Sequence, residues 1–127
     1  MSDYSIRKDD QLRLVRVNVQ GKLDKNLGYE IITKARKKAA ESGFSILCDV
    51  RGVDHHVALA DWFYLPRKLE VLQKNPTRNV NVAVVITQES SQEYDFYQNV
   101  AENVGLTFRV FMDEEEAIRW LTAGASS

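Results

Sequence analysis

From Phe44 onward the chain alternates short apolar runs with longer segments of helical period. The runs FSILCD (44–49), VNVAVVIT (80–87) and LTFRVFM (106–112) are each followed by a stretch long enough to cross back over a sheet. A parallel strand pair needs a crossover of about a dozen residues, usually helical, so the alternation predicts an α/β fold with parallel strands. The chain before Phe44 begins differently. YSIRKDDQLRLVRVNVQG (4–21) reads as two strands around a tight turn at Asp9 and Asp10, an antiparallel hairpin.

Helical segments separate these runs. Residues 23–43 carry Leu27, Ile31, Ala35 and Ala39 at a spacing of four, with Asp24 placed to cap the start and Gly43 to stop the end. After the strand 44–49, RGVDHHV (51–57) reads as a loop, and a helix then runs to about Lys74, with Pro66 limiting where its regular part begins. The next helix opens with Ser90 and Glu93 at capping-box spacing and continues through Phe96, Tyr97, Val100, Ala101 and Val104 to Gly105. Asp113 and Glu116 repeat that spacing before a short last helix. Glu114, Glu115 and Glu116 suit the positive end of its dipole, and Ala117, Trp120 and Leu121 form its buried stripe. Residues 122–127 read as a frayed polar tail. The expected order is β-β-α-β-α-β-α-β-α: a single domain over 1–127, with a five-stranded, mostly parallel sheet, an N-terminal antiparallel hairpin and four helices.

The strands carry a finer signal. Phe44, Ile46 and Cys48 share one face, as do Val80, Val82, Val84 and Ile86, and Phe108, Val110 and Met112. The opposite faces mix Leu47, Ala83, Val85 and Phe111 with polar residues. Sheets covered by helices on both sides have near-continuous apolar strands, so most helices are expected on one side. The residues Leu47, Ala83, Val85 and Phe111, with Leu14, then form either an exposed apolar patch suited to a dimer or ligand, or the seat of a single covering helix.

Composition narrows the function classes. Of 127 residues, 44% are apolar and 28% charged, as in a globular protein, and the formal net charge of −1 lacks the basic excess of a nucleic-acid binder. Cys48 is the single cysteine, so an internal disulfide is excluded, and its place in an apolar run fits a reducing, cytoplasmic setting. Met1 is followed by SDYSIRKDD, without the apolar core of a secretory signal, and no stretch has the length of a membrane span.

Hairpin, βα units and a closing acidic-capped helix together resemble the STAS/SpoIIAA-like family. The stretch FRVFMDEEEAIRWL (108–121) is similar to the ending of its small bacterial members. The resemblance implies a SpoIIAA-like sheet and a module that binds a protein partner. The same fold group includes CRAL-TRIO lipid-transfer domains, which implies a hydrophobic ligand as an alternative. In the anti-sigma antagonists of this family, a strand-end aspartate is followed by a loop and a phosphorylatable serine at a helix start. Asp49 matches that aspartate, and Gly52 and Val53 fit the loop, but the serine stretch falls at 57–60, which reads VALA. The resemblance therefore implies no phosphorylation switch here.

Three places hold candidate chemistry. VALADWFYLP (57–66) has one charge, Asp61, and consecutive aromatics at Trp62, Phe63 and Tyr64. Side chains about 100° apart on a helix cannot all face one core, so Trp62 or Tyr64, with Leu59, is a candidate contact to a partner or ligand. Asp54, His55 and His56 spell the start of a metallophosphoesterase signature, but the other strand ends carry Thr87 and Met112 rather than aspartates, so solvated loop histidines are the simpler reading. Ligands of open α/β sheets sit beyond the carboxyl ends of parallel strands. Here that rim carries Asp49, Arg51, Asp54, His55 and His56, then Thr87 and Glu89, a mostly acidic border that receives phosphate poorly. The glycines are isolated, so no phosphate loop is present, and Cys48 has no paired base. Lys34, Arg36, Lys37 and Lys38, with Lys22 and Lys25, make the first helix basic on its outer side. No cofactor, metal or nucleic acid is expected. The sequence favours a non-enzymatic module that binds a protein partner or a second copy of itself, with a carrier of a small hydrophobic ligand as the alternative.

Overall fold

The computed structural model describes residues 3–55, 80–103 and 107–125. Its five strands form one sheet in the order β1 (Asp3–Asp9), β2 (Leu14–Leu23), β3 (Ser45–His55), β4 (Asn81–Val85), β5 (Thr107–Phe111). β1 and β2 are antiparallel; β2–β3, β3–β4 and β4–β5 are parallel. The helices among the described residues are α1 (Lys25–Ser42), α2 (Ser91–Asn103), which follows a 3-10 turn at Gln88–Ser90, and α3 (Glu114–Ala125). The expected helix between 58 and 74 falls outside the described residues.

Local chemistry sets the ends of these elements. Asp24 Oδ1 accepts the Leu27 N–H at 2.8 Å, and Gly43 closes α1 at φ 75°, its N–H donating to the Ala39 carbonyl. Asp113 caps α3 by accepting the Glu115 N–H at 3.0 Å. Side chains at 90 and 93 lie outside what is described, so the expected capping box there has no counterpart to compare.

Several boundaries depart from expectation. The hairpin turn occupies residues 10–13 rather than Asp9 and Asp10, because Asp9 Oδ1 accepts the N–H groups of Gln11 and Leu12 and Arg13 takes a left-handed φ of 59°. Leu23 belongs to β2, not to the first helix. The expected loop at 51–57 is strand as far as His55, since β2 continues beside it from Gln20↔Gly52 to Leu23↔His55 after a one-residue shift near Asn18. Residues 122–125 continue α3 rather than fray.

The two faces of the sheet are chemically distinct. The inner face carries Val15, Val17, Ile46, Cys48, Val82, Val84 and Phe108 and packs with Ile31, Ala35 and Ala39 of α1 and Tyr94 and Tyr97 of α2. Met112 does not join it: β5 ends at Phe111, and Met112 is 58% exposed. On the outer face Leu14, Leu47, Ala83 and Val85 pack with Ala117 and Leu121 of α3. The apolar patch anticipated on that side is thus the seat of a covering helix.

Candidate functional site

The outer face is divided. On its β3–β5 half Leu47, Ala83, Val85 and Phe111 lie under α3, whereas alternation along β1 and β2 places Ser5, Arg7, Arg16 and Asn18 on the same side. No strand residue there offers α3 an apolar seat beyond Leu14, so the β1–β2 half stays open. A groove of about 410 Å³ results, bordered by Arg7, Arg16, Asn18, Gln20, Asp49 and Glu114.

Charge pairs fasten the groove to the helix that walls it. Arg16 Nε donates to Asp9 Oδ2 at 2.9 Å, and its Nη1 lies 3.6 Å from Glu114 Oε1, linking the hairpin to the start of α3. The Leu12 N–H and then Arg16 hold the Asp9 carboxyl below its ordinary value. Across the groove Asp49 Oδ1 accepts the Arg51 N–H and Nε, both at 3.0 Å, and Oδ2 accepts Nη2 at 2.8 Å. This two-pronged clamp lowers the Asp49 pKa despite partial burial. Arg51 also feels Glu114 and Asp113, so the end of the β3–β4 pairing and the N-terminus of α3 share one charged cluster.

Asp49 and Arg51 are thus brought together as the rim reading expected, but Asp49 is not at a strand end. It is the last residue of β3 paired with β4, opposite Val85, and β3 runs on beside β2 alone. Thr87 and Glu89 follow β4, both exposed, around the 3-10 turn at Gln88–Ser90. Asp54 and His55 lie in β3 rather than in a loop, opposite Lys22 and Leu23. His56, Leu59, Trp62 and Tyr64 fall outside the described residues. Among the described residues, no three His, Cys, Asp or Glu side chains converge on a metal position, and no helix is long and apolar enough to cross a membrane.

Cys48 lies on the inner face, away from the groove, buried, with its thiol pushed up to about 12 by desolvation and then by the Asp49 charge. A thiol so protonated is a packing group, not a nucleophile. Sequence reasoning missed two features. The groove needs β1 and β2 as its floor, and Arg7, Arg16 and Asn18 were read only as hairpin residues. Arg36, assigned to the solvated basic side of the first helix, is 2% exposed. Lys34 and Lys37 do face solvent.

A cavity of about 80 Å³ lies on the inner side between α1, α2 and the sheet. It is walled by apolar groups, among them Ile31, Ile32, Val84, Tyr97 and Phe108.

The chain is similar in structure to an uncharacterised protein of the DUF3478 family, with a SpoIIAA-like fold, from Shewanella loihica PV-4. The two share 24% identity at a TM-score of 0.56, over 94% of this chain and 93% of the other. The likeness establishes a SpoIIAA-like fold. No family model and no curated protein matches the sequence.

Proposed function

We propose that this protein is a non-enzymatic, STAS-like interaction module that binds a protein partner across the groove between β1, β2 and α3. The observation that carries this reading is the state of the groove's charged groups: Asp9, Arg16 and Glu114, and Asp49 with Arg51, are tied to one another. The Asp9 carboxyl, held low by the Leu12 N–H and then Arg16, and the Asp49 carboxyl, held low by Arg51, are poor general acids or bases near neutral pH, but the paired groups present fixed, alternating charge to a complementary surface. Arg7 stands exposed on the same floor. The VALA stretch at 57–60 supports a partner relation without the family's serine phosphorylation, since no hydroxyl stands there. A second copy of the chain is one form such a partner takes.

The test is comparative capture. Tagged wild-type protein is compared with Arg7→Glu, which reverses a groove charge, and with Lys37→Glu, which reverses an exposed charge on α1. Wild-type and Lys37→Glu are expected to retain the same partner, and Arg7→Glu to lose about tenfold in affinity, about 1.4 kcal/mol. Equal retention by all three contradicts the reading. Light scattering of the purified chain tells a homodimer from a distinct partner.

The apolar cavity on the inner side favours a second reading, a carrier or sensor of a small hydrophobic ligand.

A further inference from the structure

β1 is one edge of the sheet and β5 the other, and the two edges differ. At β5 the Val110 N–H donates to Gln98 Oε1 of α2 at 2.9 Å, so a side chain occupies that edge. β1 instead pairs with β2 over seven residues without a register shift, and it holds no proline. Among the described residues, no side chain or loop bonds to the backbone groups along its outer edge. A regular edge with unpaired N–H and C=O groups is a template for a further strand.

The side chains of β1 indicate which strand fits. Asp3, Ser5 and Arg7 stand exposed on the outer face, whereas Tyr4 and Ile6 lie half-buried against the larger core. Among the described residues neither Asp3 nor Arg7 joins an ion pair. Arg7 sits opposite Arg16 of β2, whose guanidinium is held by Asp9 and Glu114, so its cross-strand neighbour brings a like charge. A carboxylate arriving from beyond the edge would offset it.

We infer that two copies of the chain join β1 to β1, antiparallel about a two-fold axis at Ser5, and so merge two five-stranded sheets into one. With Ser5 opposite its own copy, Asp3 of each chain faces Arg7 of the other, and Tyr4 faces Ile6. Opposite charges then meet on the outer face and apolar side chains on the inner. A register centred on Ile6 would set Asp3 opposite Asp9, two carboxylates, and one centred on Tyr4 would leave Arg7 beyond the paired strands. Strand chemistry thus selects a second copy in a single register. The interface lies on the strand edge and goes beyond the capture of a distinct partner in the groove.

Light scattering over a dilution series tests it with the wild-type chain, Asp3→Arg, Arg7→Asp and the double variant. The wild type is expected to dimerise. Each single change sets like charges opposite and should weaken the dimer by about tenfold or more. The double variant, and an equimolar mixture of the two single variants, should recover the wild-type association, because both bring opposite charges face to face again. A wild type that stays monomeric overturns the interface while leaving the groove reading intact. Dimers indifferent to the single changes, or not recovered in the mixture, overturn the β1 pairing. Should a variant fail to fold, amide exchange over residues 3–7 of the wild type decides: slowing as the concentration rises supports the pairing, and exchange independent of concentration overturns it.

Discussion

Cys48 and Tyr97 make the interior sensitive to alkali. Burial pushes both up to about 12, whereas their ordinary values are 9.0 and 10.0. Above about pH 9 the unfolded chain therefore loses protons that the native chain keeps, and stability falls as pH rises toward 12. Urea midpoints should decline across that window, and Cys48→Ala should flatten the first part of the decline, near pH 9 to 10. An unchanged slope in Cys48→Ala would show that the thiol is not held protonated. Burial of Cys48 was readable because it sits mid-run between Leu47 and Val50 on an apolar strand. Burial of Arg36 was harder to see, because neighbouring Lys34, Lys37 and Lys38 suggest one solvated face. The signal lay in spacing: Arg36 follows Ile32 by four and precedes Ala39 by three, which puts it on the packed arc rather than beside Lys34.

At the level of elements, α3 determines what the outer face can do. Ala117 and Leu121 are fully buried against Leu47, Ala83 and Val85, and Trp120 stacks at a tilt on Phe111 with centroids 5.8 Å apart. Leu121→Ala should cost about 2–5 kcal/mol, because the small second core has few neighbours able to close the space. Urea unfolding measures it, and a loss below about 1 kcal/mol would show that α3 is not held by this contact. The stripe of α3 and the alternating faces of β3, β4 and β5 were legible as patterns of period 3.6 and 2. The length of β3 was not, since RGVDH carries the glycine and aspartate of a loop. Pairing with β2 past a register shift overrides that local preference. The hairpin turn was misplaced by the same kind of oversight: the Asp9 side chain ends the strand by binding the next backbone N–H groups, so the turn begins after it.

Taken whole, the molecule is a five-stranded sheet with two unlike faces. The inner face carries α1 and α2 over the larger core; the outer carries α3 over one half and a charged groove over the other. Among the described residues, the parallel direction of β3, β4 and β5 followed from alternation and the antiparallel hairpin from its turn, but the groove did not. It arises where a polar hairpin abuts a parallel sheet whose covering helix finds apolar seating no further than Leu14 at the start of β2, a relation between segments distant in sequence. Asp49 and Arg51 were read as rim residues, yet the Arg16–Glu114 pair that borders the same groove as Asp49 is drawn from near either end of the chain. The central claim is that binding occurs on this polar half. Amide chemical-shift mapping of the labelled chain, titrated with the captured partner, tests it most directly. The largest shifts are predicted at Arg7, Arg16, Asn18, Asp49, Arg51 and Glu114, with α1 residues such as Glu30 and Lys37 unmoved. Shifts gathered on α1 and α2, with the groove residues silent, would contradict it.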